Sequence, residues 1–217
     1  MKCPRCHSQV QPNAELCEFC GFNSSVLCSK LGDHWVRLDR LTDPANCLRL
    51  GERRKLESSL DEFERRFPQV FFAVYFGVLP QGFSSSEVAF WLLNHAAFGT
   101  QEITKRNEYG VVLVVDPSAS TASFGLGYAI EMMASEIKVE RILRLMSPHL
   151  LKGDYGRAVQ TAINQLDKAL RKIGKSSPRD PRVSSTHAVT TDLGLTPLRT
   201  PARTALVDQE PLNYRLD

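Results

Sequence analysis

Nothing in this chain is long and apolar enough to lie across a bilayer. The longest apolar run, Val70 to Leu79, is about half of what a spanning helix needs. The opening residues Met1-Lys2-Cys3-Pro4-Arg5-Cys6 hold no apolar segment of the kind a secretory leader carries, so the expectation is a cytoplasmic protein. A large excess of charge is also missing: 27 basic against 24 acidic residues leave a formal net charge of +3. No basic run with interleaved aromatics occurs, so nucleic acid is not an expected partner. There is no GxSxG elbow and no internal repeat. His34, His95, His149 and His187 lie in unrelated settings, and no nucleophile–base pair can be read from the order of residues.

What is present begins with cysteine. Four of the six cysteines fall in two CxxC pairs, Cys3/Cys6 and Cys17/Cys20, with ten residues between them. In a reducing compartment such pairs read as metal ligands rather than disulfides. Zinc takes four soft donors in a tetrahedron, and two tight turns carrying two sulfurs each supply them. So short a segment buries too little to fold alone, and the metal would supply its folding energy. A thioredoxin-type reading of Cys3-Pro4-Arg5-Cys6 competes, but that chemistry uses one CxxC at a strand-to-helix junction. His7 is a conceivable fifth donor, although four cysteines close the site. Gly21 follows the second pair, where a positive φ is expected. Cys28 and Cys47 read as small apolar residues. The pattern is similar to the short zinc ribbons fused to many prokaryotic proteins, which implies a structural or protein-docking role.

The rest of the chain reads as α/β. Residues 23–41 form a connector in which Trp35 to Leu38 suggests a short strand, and Thr42-Asp43-Pro44 a turn. Leu56, Leu60, Phe63 and Phe67 mark one face of a helix from Glu52 to Phe67, stopped by Pro68. Val70 to Leu79 is a strand apolar on both faces, as in a sheet covered by helices on both sides. Val78 is expected to share one face with Val70, Phe72, Val74 and Phe76. Ser84 and Glu87 form a capping box that opens a helix to about His95. Val111 to Val115 is a second buried strand, and the intervening helix makes the pair parallel. Ser120 to Gly125 suggests an antiparallel edge strand. Helices follow around Val139–Met146 and Val159–Leu170, the second with Asp154 as N-cap. From Gly174, read as the residue just past that helix, the composition turns to Ser, Thr, Pro and Arg, and residues 174–217 read as a disordered tail.

Several stretches in this order resemble the TPM domain, a family named after a thylakoid-lumen protein, a photosystem-repair protein and a receptor-modulating membrane protein. They are Thr42-Asp43-Pro44-Ala45 before the first helix, Asn107-Glu108-Tyr109-Gly110 leading into Val111–Val115, Phe124 to Glu131, and Leu151-Lys152-Gly153-Asp154-Tyr155. The likeness covers about residues 42–173. It implies an α/β/α sandwich with a small mixed sheet. Members include acid phosphatases, calcium-binding proteins and accessory proteins in the assembly or repair of larger complexes. Many are exported or membrane-anchored, features that this sequence does not display. Where the family often has an aspartate a few residues after the equivalent of Glu131, the nearest acid here is Glu136.

Ligands of open α/β sheets bind beyond the carboxyl ends of the parallel strands. Asp43, Asn94, Asp116 and Glu131 are the oxygen donors proposed to gather there around calcium or magnesium, with Asp116 as the candidate catalytic residue of a phosphatase. Each also has a plainer reading: Asp116 and Asp43 cap turns before Pro117 and Pro44, and Glu131 is a solvated helix residue. Gly125-Leu126-Gly127 either turns the chain tightly or offers amides to an anion. The stretch ending Gly174-Lys175-Ser176 matches a relaxed phosphate-loop pattern but ends a helix instead of opening one. Trp91, Phe90 and Phe98 read as core, and His95 as a packed or capping residue. The leading expectation is a zinc-containing accessory protein with a protein partner; the competing one is a metal-dependent phosphatase.

Overall fold

The structure is a computed structural model that describes residues 2–11, 14–34, 36–98, 107–133 and 137–176. Trp35, Glu136, His187, the Phe98 side chain and the tail from residue 177 onward lie outside the described residues.

The central sheet has four strands: β2 (Leu41–Thr42), β3 (Phe71–Phe76), β5 (Gly110–Asp116) and β6 (Thr121–Leu126), in the order β2-β3-β5-β6. The first three run parallel, with Leu41 opposite Val74 and Phe71 opposite Gly110. The last is antiparallel, with Asp116 opposite Thr121 and Val111 opposite Leu126. A second, two-stranded parallel sheet joins β1 (Val36–Leu38) to β4 (Ala96–Phe98).

Period-two alternation divides β3 and β5 between two cores. Phe72, Val74, Phe76, Val111, Leu113 and Val115 pack with α2 (Leu50–Arg66), α5 (Val139–Leu150) and α6 (Tyr155–Ser176). Phe71, Ala73, Val112 and Val114 pack with α3 (Ser85–His95) and α1 (Ser24–Leu31), and the same cluster takes in Cys3, Cys17 and Phe22. The result is an α/β/α sandwich around a small mixed sheet. A short α4 (Tyr128–Glu131) follows β6. The helical layer of α2 and α6 is tied at its surface by an Arg66–Asp167 ion pair and by Ser59 donating to Gln160 at 3.0 Å.

Local chemistry sets the element ends. Ser84 Oγ accepts from the Glu87 amide at 3.2 Å, while Glu87 Oε2 accepts from the Ser84 amide at 2.9 Å, so the capping box forms and starts α3. Asp154 accepts from the Arg157 amide at 3.3 Å at the start of α6.

The structure departs from the sequence reading in the connector and at several element ends. The connector carries α1, capped by Asn23 accepting from the Ser25 amide at 2.8 Å, although the mixed polarity of the helix gave no clear period. It also supplies β2, too short to show alternation. Helix α2 starts at Leu50 rather than Glu52. Strand β3 ends at Phe76, and Val78 is 66 % exposed instead of buried. Helix α6 continues through Gly174, which therefore does not end it.

Candidate metal centre

The two CxxC turns are built alike. In the first, the His7 amide donates to the Cys3 carbonyl at 2.9 Å and the Cys3 amide to the Ser8 carbonyl at 2.9 Å. In the second, Gly21 donates to Cys17 at 2.8 Å and Cys17 to Phe22 at 2.8 Å. Both turns need a left-handed residue after their second cysteine: Gly21 at φ 66°, as expected, and His7 at φ 60°. His7 thus serves the turn through its backbone. Lys2 and Gln9 form an antiparallel bridge at the open end of the first turn.

These turns bring the four sulfurs together. Cys3 and Cys20 Sγ are 3.7 Å apart, Cys6 and Cys17 Sγ 3.6 Å, and all four lie within 4.8 Å of one another. Among the described residues this is the one group of three or more Cys, His, Asp or Glu ligand atoms placed to share a metal ion. The sulfurs are tuned by their turns. The Ser8 hydroxyl first, then its amide, holds the Cys6 thiol down to about 6. Burial pushes Cys20 up to about 12 against the opposing Phe22 amide. Four thiols at this separation are a donor set for one ion of soft or borderline character.

The cysteine module is clamped to the sandwich through residues whose part the sequence did not reveal. Arg5 Nε donates to Glu87 Oε1 at 2.7 Å, and the Glu87 side chain is only 4 % exposed. The Arg5 guanidinium lies 5.3 Å from the centre of the Phe22 ring, which meets Phe90 edge-on at 6.0 Å. Burial pushes the Glu87 carboxyl up, but the Ser84 amide, Arg5 and the Ser84 hydroxyl together hold it below the ordinary range. On the other side, the Lys2 amide donates to Glu131 Oε1 at 3.1 Å and the Lys2 ammonium faces Glu140 at 3.8 Å.

The oxygen donors proposed for calcium or magnesium are placed differently. Asp43 and Asp116 stand at the carboxyl end of the parallel strands, with the end of β3 between them, about 10 Å across the sheet. Strand β6 returns the chain to the beginning of β5, where Gly127 donates to the Gly110 carbonyl at 2.8 Å, so Glu131 belongs to the opposite end. Asn94 is exposed in the last turn of α3, its amide donating to the Phe90 carbonyl at 2.7 Å. The sheet does not gather these four residues. Asp43 Oδ1 accepts from the Cys47 amide at 3.1 Å, and Oδ2 from the Leu48 amide at 3.1 Å and Arg53 at 3.4 Å. Asp116 Oδ1 accepts from the Ser118 hydroxyl at 2.6 Å and from the amides of Ser118 and Ala119 at 2.9 and 3.3 Å. Burial raises the Asp116 carboxyl, and those donors with the Leu79 amide more than reverse it. Both carboxylates act as turn caps.

Gly125 does not serve a turn. It lies inside β6, where a Cβ would come within 2.8 Å of the Ala89 carbonyl oxygen, so its bareness lets the α3 backbone rest on the strand. His95 is packed as expected, stacked on Trp91 with ring centres 5.2 Å apart.

Residues 41–169 match the TPM domain. No curated protein matches the chain. A solution NMR structure of the N-terminal domain of a protein from P. gingivalis is similar with a TM-score of 0.43 and 19 % identity, over 61 % of this chain and 82 % of that one.

Proposed function

This chain belongs to the TPM domain family, and from that premise we propose that it is a zinc-stapled, non-catalytic accessory protein that docks a protein partner in the reducing cytoplasm. The observation that carries the zinc assignment is the sulfur geometry. A tetrahedron with Zn–S bonds near 2.3 Å has edges of about 3.8 Å, and the Cys3–Cys20 and Cys6–Cys17 separations are 3.7 and 3.6 Å. All four protein ligands are sulfur, which leaves no position for substrate and gives the ion a structural role.

The docking role is supported by what the module leaves outside. Phe19 and Leu16, at and just before the second turn, are 72 % and 52 % exposed. Aromatic and aliphatic side chains held out on a rigid turn suit a protein surface better than nucleic acid, as does the small net charge of +3. The described residues include no helix long and apolar enough to cross a membrane.

The competing phosphatase reading has less support. Its carboxylates already accept from their own turns, and Glu131 stands at the other end of the sheet. The test is turnover of an aryl phosphate by the purified chain with and without calcium or magnesium. The expected result is no metal-dependent turnover. Activity that requires either ion and disappears in Asp116→Asn would overturn the accessory assignment.

A further inference from the structure

The chain folds a nucleophile onto a base across 67 positions of sequence. Cys28 Sγ on α1 lies 3.4 Å from His95 Nε2 at the end of α3, and His95 Nδ1 lies 3.1 Å from the Trp91 carbonyl oxygen. A carbonyl only accepts, so Nδ1 carries the hydrogen and the neutral ring presents its lone pair at Nε2 toward the thiol. The ring is held there by stacking on Trp91, 12° from parallel, and Trp91 is itself fixed by donating its indole N–H to the Gly32 carbonyl at 3.0 Å. A thiol aimed at an imidazole that a third group orients is the arrangement of an activated cysteine nucleophile. Both side chains are half-buried, so a small reagent has access.

The geometry points to Cys28, with His95 as its base, as the reactive thiol of this protein toward low-molecular-weight disulfides. The Cys28 proton passes to His95 Nε2, and the thiolate attacks one sulfur of R–S–S–R. A Cys28–S–S–R bond forms as the old S–S bond breaks. The departing thiolate takes the proton back from His95 and leaves as R–SH. The disulfide is the oxidant, and the products are one mixed disulfide and one thiol.

The other cysteines do not compete. Four face one another in the metal centre. Cys47 donates its S–H to Asp43 at 3.4 Å, and burial, then the Asp43 charge, pushes it up to about 12. Other titratable groups on these elements are Lys30, Asp33 and His34 in and after α1, and Arg37 on β1, which pairs with Asp39. Glu87 and Arg5 pair with each other at the far end of α3.

The test treats the full, metal-loaded chain with glutathione disulfide and follows each cysteine by peptide mass. Native Cys28 should be modified at pH 7 about tenfold faster than in the urea-unfolded chain, and His95→Gln should remove that advantage. Slower modification of native Cys28, or a His95→Gln variant with native circular dichroism and an unchanged rate, would overturn the assignment. The comparison of native with unfolded wild-type chain is a readout free of any variant.

Discussion

Glu87 carries two tasks with one carboxylate. One oxygen closes the capping box on Ser84 and the other receives Arg5 from the cysteine module. Its ionised form is favoured in the folded state, so its stabilising effect is complete above the ordinary carboxyl value of 4.5 and is lost as pH falls through the lower folded value. Glu87→Gln should lower stability at neutral pH by about 1–2 kcal/mol. In urea titrations the gap between wild type and variant should shrink as pH is taken from about 6 to about 3; a gap of constant size would count against this role. Gly21 offers a cleaner backbone test. It sits at φ 66° with nothing within 4 Å of an added Cβ, so Gly21→Ala should cost about 1 kcal/mol from backbone strain alone. A loss several times larger would mean that the turn itself had broken.

At the scale of elements, α3 is what the cysteine module, α1 and the sheet all touch. Its approach to β6 depends on Gly125, whose missing side chain leaves room for the Ala89 backbone. A carbonyl cannot swing aside as a flexible side chain would. Gly125→Ala is therefore expected to destabilise the protein by about 1–3 kcal/mol, read as a lower urea midpoint. Gly51, in helix α2 with open space around it, is the control: Gly51→Ala should be neutral or stabilising by up to about 1 kcal/mol. Equal effects at the two positions would show that packing at Gly125 is looser than the structure has it. The opposite layer rests on the α2 and α6 stripes, with Leu60, Phe63 and Leu166 each at most 2 % exposed.

For the molecule as a whole, the four-cysteine cluster is part of a core. Cys3 and Cys17 share one hydrophobic cluster with Phe71, Ala73, Val112 and Val114, so the module closes the face of the sheet that α3 and α1 cover. On the proposed zinc assignment, removing the ion should therefore destabilise more than the first residues. Chelation, or Cys17→Ser, should lower the melting temperature of the whole domain, and the metal-loaded chain should hold one zinc by elemental analysis. Hydrogen exchange after chelation should rise first in α1 and the start of α3, with α2 and α6 protected longest. Unchanged melting after complete metal removal would show that the apolar contacts of Phe22 and Leu27 hold this face without it.

The sequence by itself determined what depends on neighbours along the chain. Alternation in Val70–Phe76 and Val111–Val115 assigned residues to two sheet faces, Ser84 with Glu87 started a helix, and two CxxC turns brought four sulfurs to one place. Each is a short-range pattern in which backbone geometry fixes where the next side chain points. Tertiary structure alone decided what depends on distance across the fold. It sent Glu131 to the end of the sheet away from Asp116 through the antiparallel return of β6, and seated the cysteine module against α3 through Arg5 and Glu87. It also set Cys28 against His95. Those outcomes follow from strand order and from the need of buried polar groups to find partners, and neither is encoded in local spacing.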